Sequence, residues 1–141
     1  MALAMLLGCP AVGAAVRARA AHALRATDTA YLRYNQSKSE GSYLYEEGSA
    51  GGTLPGNMHA NCDITSTFTA TFTIFTHSGE IRGHAVATLH GSGRYESFAG
   101  TMTATGGTRT YVHAHGHGGF YGVLDRRTYD MTIQTTGTLA Y

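Results

Sequence analysis

Residues 67–76 read TFTATFTIFT, and this alternation of threonine with apolar side chains constrains the fold more than any other feature. Successive side chains of a β-strand point to opposite faces of the sheet. Phe68, Phe72 and Ile74 would therefore share one face, and the threonines would share the other. The pattern predicts a strand with one face on an apolar core and the other in solvent, as in antiparallel sheets.

Turn signals divide the rest of the chain into similar short segments. Polar or glycine-containing clusters at residues 35–41, 77–80 and 125–127 separate stretches rich in β-branched and aromatic residues, at intervals near ten residues. Longer loops are predicted at residues 46–56 and 90–98. The predicted strands are 28–34, 42–45, 57–65, 67–76, 81–89, 101–105, 108–117, 120–124 and 129–136.

Residues that protect the edges of open sheets are scarce in this chain. It has two prolines, and Lys38 is its one lysine, although natural open sheets use both residue types at their edges. Closure into a barrel removes the edges altogether. We therefore predict an all-β protein whose residues 27–141 form a small antiparallel eight-stranded β-barrel.

Residues 1–26 differ in composition from the predicted barrel. They are rich in alanine, leucine and arginine and contain no acidic residue. An apolar part followed by a small-x-small site at residues 18–20 is typical of a secretion signal, although no basic residue precedes it. Lipidation at Cys9, an organellar transit peptide and a disordered extension are the alternatives. The signal interpretation predicts a secreted or cell-envelope protein, and all four place residues 1–26 outside the fold.

Charge and composition exclude several classes of function. The 141 residues include 10 Lys and Arg against 9 Asp and Glu, so the basic surplus that binds nucleic acid is missing. No apolar run approaches the roughly 18 residues of a membrane-spanning helix.

Cys9 and Cys62 do not make a disulfide framework, and we predict that Cys62 is a buried structural thiol. Charged residues form only 13% of the chain, against about a quarter in typical domains, so threonine hydroxyls must wet much of the surface.

Residues 100–119 carry the most distinctive side chains. They predict two strands joined at Gly106 and Gly107. On the second predicted strand, residues 108–117, Tyr111 would share one face with three histidines, and the other face would be almost bare. Long side chains beside a bare face suit the wall of a small barrel. The three histidines are His113, His115 and His117.

The string GGTRTYVHAHG at residues 106–116 resembles a signature strand of the allene oxide cyclase-like and dirigent-like β-barrel family, whose bacterial members mostly lack an assigned role. Arg109 stands where that family has glycine. The resemblance is strongest over residues 66–141 and implies an eight-stranded barrel with a central cavity, often within a homo-oligomer. It also implies either cyclisation or isomerisation of an apolar substrate, or guidance of phenoxy-radical coupling. The matching residues are Gly106, Gly107, Thr108, Tyr111, Ala114 and Gly116.

Three interpretations of the histidines stay open on the residues alone. Alternate positions on a strand lie about 6.5–7 Å apart, so two imidazoles could meet at a metal ion if His84 or His90 added a ligand. Inside a cavity, an imidazole of near-neutral pKa could move protons, which makes His115 and Tyr111 the candidate catalytic residues. The third interpretation is a polar lining or a solvated face, and we assign no metal or cofactor.

Aromatic and basic side chains elsewhere are candidate ligand-binding residues. Each also has a simpler structural interpretation, as a packed tyrosine or a surface ion pair. Glu46 and Glu47 are predicted to lie in a solvated loop. The sequence contains no Ser-His-Asp order, nucleophile elbow, phosphate loop or Cys-x-x-Cys pair. The candidate ligand-binding residues are His113, His117, Tyr95, Arg94, Tyr121 and Tyr129.

The sequence therefore predicts an exported barrel that binds a small apolar or phenolic molecule in its central cavity. One alternative is an isomerase or cyclase that holds a flexible apolar substrate in a reactive orientation. Another is a structural or interaction module that uses the threonine-rich surface. A homo-oligomer is compatible with all three, whereas nucleic acid is not an expected partner.

Overall fold

The computed structural model describes residues 22–141, which form a closed antiparallel barrel of eight strands. Each strand pairs with its neighbours in the chain, and β1 pairs with β8 to complete the closure. The predicted fold class is therefore confirmed. The strands are β1 (Ala23–Tyr34), β2 (Tyr43–Gly52), β3 (Gly56–Ile64), β4 (Thr67–Thr76), β5 (Gly79–His90), β6 (Tyr95–Gly107), β7 (His115–Asp125) and β8 (Met131–Ala140).

The alternation in β4 has the predicted orientation. Phe68, Ala70 and Phe72 are buried, while the threonines between them lie on the outer face. The rings of Phe68, Phe98 and Phe120 meet inside the barrel with centroids 5.2–6.1 Å apart. An eight-stranded barrel is only just wide enough to be filled by side chains, so these rings require small neighbours. Alanine and glycine supply them at many inward positions of the other strands.

The two ends of the barrel differ in how they are covered. One end, called here the Leu54 end, carries residues 53–55, the turn at 77–78 and the connection 108–114. Within that connection Tyr111 is buried, and its ring packs edge-on against Tyr141 at 5.1 Å. The opposite end, called the Tyr129 end, carries the loops between the other strand pairs. Tyr34 and Tyr129 pack there with ring centroids 5.5 Å apart.

Two predictions about local structure are wrong. Residues 46–52, predicted as part of a loop, belong to β2: all of them pair with β1, and residues 46–50 pair with β3 as well. The glycines that suggested a loop permit close strand approach instead: a Cβ atom on Gly48 would collide with the backbone of Tyr31. Likewise, β6 begins at Tyr95, inside the segment 90–98 that was predicted as a loop.

The predicted strand at residues 108–117 is also wrong. β6 continues to Gly107, a 3-10 turn occupies Arg109–Tyr111, and β7 begins only at His115. Hydrogen bonds from the backbone N–H groups of Tyr111 and Ala114 to the carbonyls of Thr108 and Tyr111 hold the connection in this compact form. The period-two spacing of histidines therefore crosses a strand boundary.

The first strand begins earlier than predicted. β1 starts at Ala23, which pairs with Ala140, so residues 23–26 belong to the barrel wall and not to the preceding segment. The predicted signal sequence, transit peptide and lipidation at Cys9 concern residues 1–21, which lie outside the described residues.

Candidate functional site

An apolar cavity of about 110 Å³ lies inside the barrel and extends from its middle toward the Leu54 end. Phe68 and Phe120 close it toward the Tyr129 end, and Leu54 and Leu139 border it at the other. Alanines from six strands, β1 to β6, line it between larger aliphatic and aromatic side chains, and their small side chains leave its volume unfilled. The alanines that line it are Ala26, Ala30, Ala50, Ala60, Ala70, Ala85 and Ala104.

The size of this cavity limits what it can hold. Apolar cavities on the order of 150 Å³ remain dry and accept one benzene-sized molecule, so the present cavity suits a single ring or a short chain. Met58 and Met102 also line it. Because methionine is unbranched and adaptable, a slightly larger ligand could be accommodated by rotation of these side chains.

Asp28 is the carboxylate that lines this cavity, and Thr135 lies opposite it on β8. One carboxylate oxygen of Asp28 accepts a hydrogen bond from the Leu54 backbone N–H at 2.7 Å. Burial raises the pKa of Asp28, while hydrogen bonds from the Leu54 and Thr53 backbones oppose that shift. Asp28 thus joins the β2–β3 connection to the cavity rim and places a carboxylate acceptor in a largely apolar lining.

Glu46 is the other acid inside the barrel and is fully buried, with 0% exposure. Both of its carboxylate oxygens lack a hydrogen-bond partner. Burial, with a further contribution from the charge of Asp130, raises the pKa of Glu46 to about 8. The side chain is therefore a neutral carboxylic acid at pH 7, since an isolated buried carboxylate would be far more costly.

Glu46 adjoins the cavity through its neighbours on β3. Its partner in the strand register is Ala60, and Ala60 and Cys62 both line the cavity. Cys62 is buried, as predicted, and burial raises the pKa of its thiol, with a smaller contribution from Glu46. The thiol is consequently a neutral packing group, because a reactive cysteine requires the thiolate.

The predicted histidine site is not inside the barrel. His115 and His117 are exposed on the outer face of β7, and His113 is exposed in the connection before it. The inward positions of β7 between and after them are Gly116 and Gly118. His117 is part of the wall that borders the cavity, but its imidazole is exposed on the outer surface of the barrel. The condition for catalysis by His115, an inward-facing side chain, is not met.

The other predicted site residues are dispersed. Tyr111 is buried in the cover of the Leu54 end, and Tyr129 packs against the core at the Tyr129 end. Tyr121 is exposed and donates a hydrogen bond to Gln134. Arg94 and Tyr95 lie together on the outer surface, with the guanidinium 5.0 Å from the ring centroid. The structure therefore brings together Arg94 and Tyr95, and none of these side chains lies with the cavity lining.

Sequence reasoning missed Asp28 and Glu46. Glu46 was predicted in a solvated loop with Glu47, yet on β2 the two side chains face opposite ways, and Glu47 is the one near the surface, paired with Lys38 at 2.9 Å. If residues 43–50, YLYEEGSA, are taken as a strand, the alternation of side chains places Leu44, Glu46 and Ala50 on one face. That pattern was available in the sequence, but the surrounding glycines favoured a loop.

Over residues 22–141, no three histidine, cysteine, aspartate or glutamate side chains are grouped so as to hold a metal ion. No helix in the same range has the length and apolar character needed to cross a membrane. Comparison of the chain with family models, with curated proteins and with solved structures finds no match. The candidate site therefore rests on the geometry of the cavity, on Asp28 in its lining and on the buried Glu46 that adjoins it.

Proposed function

We propose that the protein binds a small, predominantly apolar molecule inside its barrel. The observation that carries this proposal is the alanine-lined cavity of about 110 Å³, whose acidic lining residue is Asp28. A dry cavity of this kind binds apolar molecules because the atoms of its walls lack van der Waals neighbours, and a bound molecule supplies them. Asp28 favours ligands that present a hydroxyl or another hydrogen-bond donor, such as phenols, at the Leu54 end.

Binding of small probes to the full chain tests this proposal. Benzene, toluene, p-cresol and indole would be titrated while the melting temperature is followed, because a ligand of the native state adds about 2.7 kcal/mol of stability at 100 times its Kd. At least one of these probes is expected to raise the melting temperature in a saturable manner. A flat response to all four would contradict the proposal.

A matched pair of variants locates the bound probe. Ala85 faces the cavity, and its neighbour Val86 is exposed on the outer face of the same strand. Ala85→Leu adds three carbon atoms to the cavity and is expected to abolish probe binding while the barrel stays folded. Val86→Leu is expected to bind as the wild type does. Equal binding by both variants would place the probe elsewhere.

A second candidate function, isomerisation or cyclisation of a bound apolar substrate, is favoured by Glu46. Glu46 does not itself line the cavity, although its register partner Ala60 does. The second function therefore requires a substrate that displaces the side chains between the cavity and Glu46, so that the neutral carboxylic acid donates a proton to a ligand oxygen and recovers it later, a role that needs a pKa near the operating pH. In this second candidate function, Glu46 would replace His115 and Tyr111 as the proposed proton donor.

Hydrogen exchange in a bound ketone distinguishes the second function from simple binding. Exchange of the α-hydrogens of cyclohexanone with D₂O would be followed by NMR in the presence of the wild type and of Glu46→Gln. Catalysis by Glu46 predicts faster exchange with the wild type and a background rate with the variant. Saturable binding of cyclohexanone without faster exchange would contradict the second function and leave the first in place.

Membership of the allene oxide cyclase-like and dirigent-like family, export and a homo-oligomeric state remain predictions. The barrel architecture is compatible with the family resemblance at residues 106–116. Mass spectrometry of the N-terminus of the protein from its native cells tests export, since signal removal would leave a chain that begins near residue 21. Light scattering on the purified chain tests the oligomeric state.

A further inference from the structure

A groove of about 410 Å³ crosses the outer face of the barrel, separate from the internal cavity. It runs over β1, β8 and β7 to the start of β6, near the Tyr129 end. Tyr31 and Tyr95 line it, and these side chains are 62% and 61% exposed. Two large aromatic side chains so open to solvent contribute little to the core, which makes the groove a candidate binding surface.

The strand register fixes the layout of this groove. Tyr31 on β1 pairs with Thr132 on β8, and Thr132 pairs with Val123 on β7, so these three form one transverse row. Tyr95 on β6 pairs with Asp125, which lies two residues beyond Val123 on β7. Because adjacent strands lie about 4.8 Å apart, the strands that carry the two tyrosines are separated by roughly 14 Å measured along the curved wall of the barrel. The floor between them is formed by the short side chains of Thr132 and Val123.

The Tyr95 side of the groove is held in place by an ion pair. Arg94 lies 5.0 Å from the Tyr95 ring centroid and donates two hydrogen bonds, of 3.1 and 2.9 Å, to the carboxylate of Asp125. Asp125 also accepts a hydrogen bond from the Arg127 backbone N–H at 2.9 Å. Such bidentate contacts fix the orientation of the Arg94 guanidinium. Because that group lies over one face of the Tyr95 ring, a ligand would stack on the opposite face.

Charges of both signs line or border the groove. Asp125 is paired with Arg94, and Asp130 accepts a hydrogen bond from the Tyr34 backbone N–H at 3.3 Å beside the basic Arg33. A surface with both signs close together attracts neither polyanions nor polycations strongly. It does offer donors and acceptors to a neutral ligand that carries many hydroxyl groups.

We propose that this groove binds a neutral saccharide. The face of a tyrosine ring carries partial negative charge, and the C–H groups on one side of a pyranose ring carry partial positive charge, so the two stack. Arg33 and Asp130 lie in the same lining and can hydrogen-bond the hydroxyls, whereas Asp125 is already paired with Arg94. A protein partner would need about 800 Å² of contact with an apolar centre, whereas the floor here offers one valine and one threonine.

Titration with defined oligosaccharides tests the proposal. Cellohexaose, chitohexaose, xylohexaose and maltohexaose would each be added to the full chain at millimolar concentration, and binding would be measured by calorimetry and by NMR shifts. At least one is expected to bind, and Tyr31→Ala and Tyr95→Ala are each expected to weaken it at least tenfold. Tyr43→Ala removes a tyrosine that is 54% exposed outside the groove and is expected to bind as the wild type does.

Several outcomes would overturn this proposal. The first is that none of the four oligosaccharides binds. The second is that Tyr31→Ala and Tyr95→Ala bind as tightly as the wild type. The third is a homodimer that Tyr31→Ala dissociates, because the groove would then be a contact between two copies of the chain. Melting curves of each variant establish that it is folded. The cavity variant Ala85→Leu is expected to bind saccharide as the wild type does. Loss of apolar-probe binding in the cavity can therefore be distinguished from loss of saccharide binding in the groove.

Discussion

Phe98 on β6 and Gly122 on β7 are direct partners in the strand register, and the phenyl ring of Phe98 covers the glycine inside the barrel. A Cβ atom on Gly122 would lie 2.6 Å from Cζ of Phe98. Phe72 and Gly83 form the same arrangement between β4 and β5, with a corresponding distance of 2.5 Å. An aromatic ring that covers a cross-strand glycine compensates for the missing side chain. Each pair lets a large ring fit within a narrow barrel.

Gly122→Ala is therefore expected to destabilise the barrel. The added methyl group must displace Phe98 or the wall of β8, and overpacking of this kind typically costs about 1–3 kcal/mol. Gly119 is the matched control because it lies on the same strand, where the nearest atom to an added Cβ is 3.7 Å away. Denaturant unfolding should show a clear loss for Gly122→Ala and almost none for Gly119→Ala. Equal losses would mean that the Phe98 contact does not matter.

The sequence predicted the strands whose two faces differ most in polarity. The segment TFTATFTIFT forms β4 with the predicted bounds. Threonine alternates with phenylalanine along it, so only one pairing register turns the apolar side chains toward the core. The strand β2 was mostly missed because its residues 46–52 contain glycines that usually mark loops. In this barrel, glycine instead allows close backbone approach between paired strands, and only the pairing itself reveals that role.

The candidate site was harder to predict than the fold. The histidines alternate as strand residues do, yet the chain between Gly107 and His115 turns to cover the Leu54 end. Which face of β7 points inward depends on where that strand begins, and a local pattern does not contain this information. The cavity forms because small inward side chains from most of the strands face one another across the barrel. Its position near Asp28 could therefore be located only once the strands were known to close into a barrel.

Arg109→Gly is expected to stabilise the protein slightly. Arg109 has a φ of 54°, in the left-handed region that costs a residue with a Cβ atom about 1–2 kcal/mol. Glycine removes this strain, although its greater freedom in the unfolded chain offsets about 0.4–1 kcal/mol. Thermal unfolding should show a gain between zero and about 1.6 kcal/mol, the difference between these two contributions. Thr110→Gly, at the exposed neighbour without positive φ, should lower stability, and a loss at both positions would contradict this prediction.

Asp28 is expected to decide which apolar ligands bind most tightly. A hydrogen bond from the hydroxyl of p-cresol to this carboxylate should favour p-cresol over toluene by about tenfold, as expected for a hydrogen bond to a charged group. Asp28→Ala should remove the preference, whereas Asp28→Asn keeps a neutral acceptor and should retain part of it. Calorimetric titration of both probes measures the ratio directly. An unchanged ratio in Asp28→Ala would show that the hydroxyl binds elsewhere.

Glu46 is expected to make the barrel less stable as the pH rises. Its pKa is raised from 4.5 to about 8 in the folded state, so between these values the unfolded chain loses a proton that the folded chain keeps. The free energy of unfolding then falls with rising pH, by at most about 1.4 kcal/mol per pH unit, and this loss levels off above pH 8. Glu46→Gln cannot ionise, so its stability relative to the wild type should increase from pH 5 to pH 8. Glu47→Gln provides the opposite control, because hydrogen bonds from Asn35 and Lys38 lower the pKa of Glu47 and its ionised form stabilises the fold. Denaturant unfolding of the three proteins from pH 4 to pH 9 measures both effects, and parallel curves for the wild type and Glu46→Gln would show that Glu46 ionises in the folded barrel as readily as it does in water.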